Sequence, residues 1–476
     1  MKAPFSGYLN GIAPLLKDVI AHLASHYDYV SILATDTTGF NVSVSQRAKN
    51  VSNSTMFSER GNVIRVHRDG LYSEYAFNHT DESAADIANR LRSTLDRQLG
   101  VLAATDTKVY DTAKLTDEPT QLFTEMETGI LPEEADLSAL IDRLSGISDR
   151  GKSMGDNIVD CMVRATSSHV NKMFLTEHRD MRQSYVYSEG SVVVIASQDG
   201  KTEMGHESVS GRCGPELFEQ LDGKLDEAVK AANEILNAEQ VVPGEYDVIT
   251  SPEVTGLIAH EAFGHGVEMD MFVKNRALGK EYIDKRVASD IVTMHEGALC
   301  AVEVSSYAFD DEGTPAGDTV EIENGILRTG VCDALSAVRL GSKPTGNGKR
   351  QSFEHKVYTR MTNTVFDSGT DRLDDMIASI DFGYLLVGMR SGMEDPKHWG
   401  IQCIIDRGYE IKEGKLTGKV VAPLVMTGYV PELLGSISMA SNDREVFGAG
   451  ACGKGYKEWV KVSDGGPYLK AKARLG

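Results

Sequence analysis

The residues of this chain best suited to chemistry are two histidines and a glutamate within one short stretch. Residues 260–266 read His-Glu-Ala-Phe-Gly-His-Gly, an HExxxH sequence in which a glycine stands on each side of the second histidine. Neutral imidazoles such as His260 and His265 are ligands that Zn²⁺ prefers, and the Glu261 carboxylate is a base able to activate a metal-bound water. The stretch therefore predicts a metal site with a general base beside it.

The spacing of the two histidines requires an irregular helix. Histidines four residues apart, as in the familiar HExxH motif, differ by about 40° around an α-helix and share one face. Five residues apart they differ by about 140°, so an ideal helix cannot bring both to one ion. A wider π-type turn, or a helix that ends at Gly264, would return His265 to the side of His260. The competing interpretation is that His260 and Glu261 merely cap or pair on a surface helix.

A third ligand must come from elsewhere, because hydrolytic zinc sites usually combine three protein ligands with one open position. Residues 448–455 read Gly-Ala-Gly-Ala-Cys-Gly-Lys-Gly, which places Cys452 on a glycine-rich loop with little bulk to hinder an ion. The same stretch matches GxGxxG. However, no apolar strand precedes it and an apparent strand follows, so the context argues against a dinucleotide site.

Composition excludes several classes of protein. The 476 residues, 41% of them hydrophobic and 25% charged, are typical of a globular protein with two or three domains. The formal net charge of −21 repels phosphate, so nucleic acid is not an expected partner. The six cysteines include no Cys-x-x-Cys pair, and no apolar run is long enough to span a bilayer. We expect a cytoplasmic protein with reduced cysteines and no membrane partner.

The elements that must position these residues follow from periodicity and turn signals. Apolar spacing predicts helices over residues 12–26, 83–99, 132–145 and 215–238. Turns are expected at Asp69-Gly70, Glu189-Gly190, Asp199-Gly200, Asn324-Gly325 and Glu413-Gly414. The metal-site helix should follow a strand over 246–250, with Ser251 as N-cap and Pro252 at its first position.

Helices segregated from mostly antiparallel strands predict an α+β fold rather than a doubly wound one. We expect an amino-terminal helix-and-sheet region over 1–240, with a further division into 1–109 and 110–240. A β-rich domain over 241–476 would then carry the metal-site helix.

Five motifs in order make the chain resemble the TldD branch of the TldD/PmbA family of metallopeptidases. They are His260-Glu-Ala-Phe-Gly-His-Gly, Phe309-Asp-Asp-Glu-Gly-Thr-Pro-Ala, Arg360-Met-Thr-Asn-Thr, Ile437-Ser-Met-Ala-Ser-Asn-Asp and Ala451-Cys-Gly-Lys-Gly. The match is strong from about residue 246 to 460, looser over 27–80 and weak over 100–150 and the tail from 464 to 476.

The resemblance implies a zinc-dependent peptidase that hydrolyses unstructured polypeptides or precursor peptides. It assigns Zn²⁺ ligands to His260, His265 and Cys452 and the general base to Glu261. It also implies a dimer with a related, motif-less TldE/PmbA-type subunit, although a homodimer fits the sequence equally well.

Two rival functions remain open at the level of sequence. One is a non-catalytic binding or chaperone-like modulator subunit with a structural zinc, and the other is a zinc amidase acting on small molecules. Arg360 and Asn363 either help position substrate or, as we expect, tie a strand end by hydrogen bonds. The acidic run over 310–312 is expected to form a solvated turn rather than a second metal site.

Overall fold

The computed structural model describes residues 1–53, 58–105, 110–456 and 458–476. Its amino-terminal helices are α1 (Gly7–Ala24), α2 (Ala84–Ala104), α3 (Leu137–Ser153) and α4 (Leu225–Asn237). The strands of this part are β1 (Tyr29–Val44), β2 (Lys49–Ser52), β3 (Glu59–Arg68), β4 (Leu71–Phe77), β5 (Thr120–Glu125), β6 (Ile158–Leu175), β7 (Arg179–Gln198) and β8 (Lys201–Gly211).

These strands form one eight-stranded sheet in the order β4-β3-β1-β6-β7-β5, with β2 beside β1 and β8 beside β7. Helices α1 and α2 pack their apolar stripes on one part of the sheet, and α3 and α4 pack on another. Because β1 pairs with β6, strands from 1–109 and 110–240 belong to a single sheet. The domain boundaries remain a prediction.

The carboxyl-terminal part is rich in strands. Its helices are α5 (Pro252–Leu257), α6 (Met269–Val273), α7 (Ala334–Leu340), α8 (Leu373–Ala378) and α9 (Val430–Gly435). Its strands are β9 (Gly244–Thr250), β10 (Met294–Glu296), β11 (Thr319–Glu323), β12 (Ile326–Leu327), β13 (Gly348–Lys349), β14 (Tyr358–Thr359), β15 (Asn363–Phe366), β16 (Phe382–Asp395), β17 (Gly400–Lys412), β18 (Lys415–Val421), β19 (Leu424–Tyr429), β20 (Met439–Ala440), β21 (Glu445–Lys454), β22 (Glu458–Gly466) and β23 (Leu469–Leu475).

A closed ring of five strands organises this part, in the order β16-β9-β23-β19-β17 with β17 pairing back to β16. The carboxyl-terminal strand β23 pairs with β9 on one side and with β19 on the other, so the tail forms part of the barrel wall. A second sheet runs β12-β11-β10-β15-β22-β21 and ends on β21. The α+β class predicted from the sequence is confirmed.

The predicted helices all occur, with shifted ends. The helix expected from 132 begins instead after a 3-10 turn, where the Asp136 side chain accepts hydrogen bonds from the N–H groups of Ser138 and Ala139. The helix expected over 215–238 starts as a 3-10 helix and becomes α-helical at Leu225.

The turn expected at Glu189-Gly190 was wrong, because β7 runs straight through it. Gly190 serves close packing there: a Cβ on it would lie 3.1 Å from the Arg164 carbonyl oxygen and from the Leu221 side chain. The other four predicted turns are confirmed, and their first residues adopt positive φ.

Candidate metal centre

The irregular helix that the HExxxH spacing requires is present. Helix α5 gives way to a π-helical turn over Ile258–Phe263, and a 3-10 turn over Gly264–Val267 follows. The ring centroids of His260 and His265 consequently lie 5.1 Å apart. Of the two predicted solutions, the π-type turn is the one adopted. Ser251 holds the N-cap position as expected, although its side chain makes no capping hydrogen bond.

Cys452 joins the two histidines across 187 residues of chain. One donor atom from each of His260, His265 and Cys452 lies within 4.8 Å of the others, and the Cys452 Sγ is 3.5 Å from His265 Nε2. Cys452 stands on strand β21, opposite Val460 of β22, and not on the glycine-rich loop that the sequence suggested. Strand pairing therefore fixes the position of the thiol.

The electrostatics favour the thiolate form of Cys452. Burial by itself would raise its pKa, but the neighbouring His260 and His265 lower it to about 4. Burial likewise opposes a charge on His260, yet the adjacent thiolate raises its pKa to about 9. Without an ion the three groups thus share protons that a metal would displace, and two imidazoles with one thiolate are a donor set that fits Zn²⁺.

Each histidine has an acidic neighbour on its other side. The Glu268 Oε2 accepts from His265 Nδ1 at 3.1 Å and from the Lys454 ammonium at 2.9 Å. Burial would raise the pKa of Glu268, but Lys454 and His265 lower it well below its usual range. The Nδ1 of His260 lies 3.9 Å from the Asp464 Oδ2. A hydrogen bond to the outer nitrogen fixes the orientation of a ligating imidazole, and Glu268 provides this for His265.

Sequence reasoning did not identify Glu268, Lys454 or Asp464. Glu268 follows His265 by three residues, a spacing that brings side chains together on a helical turn and was a usable signal. Asp464 lies about two hundred residues from the helix, in the tail where the resemblance is weak, and no local pattern marks it.

Glu261 lies beside the donors at the wall of a cavity of about 880 Å³, which Cys452 and both histidines also line. Its Oε2 is 3.7 Å from His265 Nε2, and its side chain is 19% exposed. Gly392 on β16 faces it so closely that a Cβ there would lie 2.4 Å from the Glu261 Cγ. The carboxylate is thus accessible from the cavity but confined in position. His260, in contrast, is 3% exposed, which excludes the surface-helix interpretation.

Arg360 and Asn363 have structural contacts. The buried Arg360 guanidinium donates to the carbonyl oxygens of Cys452 at 2.6 Å and Glu458 at 3.1 Å. Asn363 Nδ2 donates to the Gly297 carbonyl oxygen at 3.1 Å. These are the strand-tying contacts that the sequence favoured, and Arg360 makes one of them at Cys452 itself.

The expectation of a solvated turn over 310–312 was wrong. Asp310, Asp311 and Glu312 are 1%, 3% and 4% exposed. Lys172 of the amino-terminal sheet pairs with Asp311, and Arg65 of the same sheet pairs with Glu312. Cations far away in the sequence pair with two of its three acids, so the run connects the two halves of the chain.

The chain is similar to several proteins named metalloproteases. A family model described as the PmbA/TldA metallopeptidase C-terminal domain matches residues 243–473. A metalloprotease TldD homolog from Buchnera aphidicola subsp. Acyrthosiphon pisum is 33% identical over 304 residues, which are 61% of each protein. A metalloprotease from Synechocystis sp. is 27% identical over 462 residues, which are 96% of each protein. The chain spans about six tenths of the length of the Buchnera relatives that it matches.

Two solved structures share the fold over nearly the whole chain. TldE from Thermococcus kodakarensis superimposes with a TM-score of 0.76 at 18% identity, covering 97% of this chain and 100% of that protein. A putative modulator of a DNA gyrase from Thermotoga maritima gives 0.76 at 17% identity, covering 98% and 100%. Within the described ranges, every helix is too short or too polar to cross a membrane.

Proposed function

We propose that this chain is a member of the TldD branch of the TldD/PmbA metallopeptidase family and a zinc-dependent peptidase that hydrolyses unstructured polypeptides or precursor peptides. One observation carries the proposal. Two imidazoles, a thiolate and a carboxylate base line one cavity, and the three donor atoms lie within 4.8 Å of one another.

His260, His265 and Cys452 would hold the ion. When bound there, zinc supplies Lewis acidity toward a peptide carbonyl and toward water. Among the described residues the donor cluster has these three members, which leaves a fourth position for substrate or solvent. The rival function, a modulator with a structural zinc, calls for a closed set of four protein ligands.

Glu261 acts as the general base. Its carboxylate accepts a proton from the attacking water and later returns it to the leaving amine. The geometry suits this role because the side chain reaches the cavity and stays within 3.7 Å of His265. Glu268 holds a different position: it is 2% exposed and paired with Lys454, so it orients His265 and does not exchange protons with substrate.

The substrate is held in an extended form. Strand β21 is the last strand of its sheet, and Gly450, Ala451 and Gly453 on it are exposed. An extended peptide can add to such an edge by main-chain hydrogen bonds, which demand no particular side chains. Selectivity must then come from access to the cavity, so folded proteins are excluded.

A second subunit closes the cavity in this proposal. The partner is a related TldE/PmbA-type chain without the HExxxH sequence, or a second copy of this chain. Support for the first comes from the shared fold with the protein named TldE. Light scattering on the active protein tests whether it is a dimer. Cleavage of one substrate in folded and denatured form tests whether the closed cavity excludes folded proteins. An active monomer, or equal cleavage of the two forms, would contradict them.

The decisive experiment replaces Glu261 by Gln. The side chain keeps its size and loses its basicity, so peptide hydrolysis should fall by roughly two powers of ten or more. Zinc content should remain near one ion per chain, because Glu261 is not one of the donors. The exposed Glu281 does not line the metal-site cavity, so Glu281→Gln is the matched control. Full activity in Glu261→Gln would eliminate Glu261 as the base.

A further inference from the structure

Lys454 is a largely buried cation two residues beyond Cys452, at the end of strand β21. Its side chain is 13% exposed. The ammonium donates to Glu268 Oε2 at 2.9 Å, to Asp270 Oδ1 at 2.8 Å and to the Thr359 carbonyl oxygen at 3.0 Å. An ammonium has three N–H donors, so all those of Lys454 are occupied and none remains for a substrate. The proposed mechanism uses Lys454 only as the partner of Glu268.

Strand β21 meets the segment after the HExxxH sequence through two neighbouring contacts. Cys452 Sγ lies 3.5 Å from His265 Nε2, and Lys454 Nζ lies 2.9 Å from Glu268 Oε2. Side chains two residues apart on a strand project to the same face, which is why both reach this one short segment. The contact between Lys454 and Glu268 therefore helps to set how far the thiol stands from the imidazole.

The backbone that carries Cys452 depends on ordering contacts. Within the described part of the chain, β21 is the last strand of its sheet and pairs with β22, in a ladder that is irregular between Phe447 and Gly450. Positions 448, 450 and 453 are glycines, and a glycine costs more conformational entropy to order than any other residue. Two cations add contacts at this end of the strand: Arg360 donates to the Cys452 carbonyl oxygen, and Lys454 binds the two acids.

Loss of the Lys454 ammonium would affect its two acids unequally. The Glu268 and Asp270 side chains are 2% and 8% exposed, and removing one partner of a buried ion pair leaves a charge without compensation. Asp270 would keep Lys274, which pairs with its other oxygen at 2.9 Å. Glu268 would lose the cation at 2.9 Å from its Oε2, the same oxygen that accepts from His265 Nδ1. The consequence is therefore concentrated on the carboxylate that orients His265.

We propose that Lys454 is a positioning residue of the metal centre: by binding Glu268 behind His265, it holds β21 so that the Cys452 thiolate faces the two imidazoles. This inference rests on the proposed zinc ligands and adds a residue that acts on the ion only through them. Lys454 belongs to the same strand as Cys452 and contacts the partner of His265, so it connects two of the three donors. Its ammonium thus does more than neutralise buried acids.

The test measures the zinc affinity of the full-length chain by competition with a chelator. Lys454→Met keeps a long side chain and removes the ammonium, so the folded variant should bind zinc roughly 10- to 100-fold more weakly than the parent. Lys274→Met is the matched control, because it removes the cation on the other oxygen of Asp270, and its zinc affinity should remain that of the parent. With Co²⁺ in place of zinc, the thiolate-to-cobalt absorption should lose intensity in Lys454→Met and persist in Lys274→Met.

A purely structural role for Lys454 predicts a different result, namely a lower Tm in Lys454→Met with the parent's zinc affinity and cobalt spectrum in the folded protein. That result would overturn the proposal. The double variant Lys454→Met/Asp270→Asn removes one buried charge of each sign, which limits the destabilisation, and should show the same loss of zinc affinity. An unchanged affinity in the folded double variant would equally overturn the positioning role. If the parent chain itself binds no zinc, the proposed ligand set fails and the positioning role fails with it, whereas a parent that binds zinc separates the two.

Discussion

Gly392 offers a way to move the base without removing it. A Cβ at this position of β16 would lie 2.4 Å from the Cγ and 2.8 Å from the Cβ of Glu261. Carbon atoms in contact are ordinarily about 3.5–4.0 Å apart. The Gly392→Ala methyl must therefore push the Glu261 side chain by about 1 Å, because the colliding atoms lie close to its backbone and cannot swing aside.

The expected loss follows from this displacement. A misplacement of about 1 Å in a reacting group costs roughly 100-fold in rate, equivalent to about 2.7 kcal/mol of transition-state stabilisation. Zinc content should fall much less than activity, since the three atoms nearest to a Cβ at Gly392 belong to Glu261 and Leu257 and not to a donor residue. In the Glu261→Gln background, where the base is already absent, Gly392→Ala should cause no further loss of activity.

The assay compares kcat/KM on one unstructured peptide with zinc content for both variants. Gly400→Ala is the matched control, because a Cβ at Gly400, on the neighbouring strand β17, meets no atom within 4 Å. Wild-type activity in Gly392→Ala would refute the confinement of Glu261. An equal loss in Gly400→Ala, or a full additional loss on top of Glu261→Gln, would refute its role as the base.

Three further outcomes are expected. Cys452→Ser should lower both zinc occupancy and hydrolysis, while Cys332→Ser leaves occupancy alone; unchanged affinity in the former would remove the third-ligand assignment. Glu268→Gln should weaken zinc binding by about 10- to 100-fold in metal titration, with Glu281→Gln as the control. Burial raises the pKa of Glu321 well above its usual value, and neither of its oxygens has a hydrogen-bond partner among the described residues. A raised folded-state pKa means that stability is lost as pH rises from about 4.5, so the Tm of Glu321→Gln relative to wild type should increase between pH 5.5 and 7.5; a constant difference would contradict this.

Several features of the fold could be predicted because they depend on neighbours in the sequence. The turns at Asp69-Gly70 and Asn324-Gly325 require positive φ, which those residues tolerate. Helices α1 and α2 follow the apolar spacing of their own residues. The turn expected at Glu189-Gly190 failed for a related reason, since a glycine that permits a turn equally permits a close approach by Leu221.

Some features of the candidate site could likewise be predicted from the sequence, whereas others depend on the tertiary structure. The sequence alone determined the donor types at His260 and His265, and the five-residue spacing required an irregular turn between them. It did not choose between a π-type turn and a helix end. It also could not place Cys452 on a strand or show that Glu268 and Lys454 lie behind His265, because those contacts arise when β21 packs beside the helix.

Burial of charge was decided by tertiary structure alone. Asp310, Asp311 and Glu312 have the composition of a solvated turn, and water would indeed be their most favourable environment in isolation. Lys172 and Arg65, more than a hundred residues earlier in the chain, reverse that preference by pairing with two of these acids. A sequence pattern records which groups carry charge, whereas the free energy of burying a charge depends on the partner that the fold brings to it.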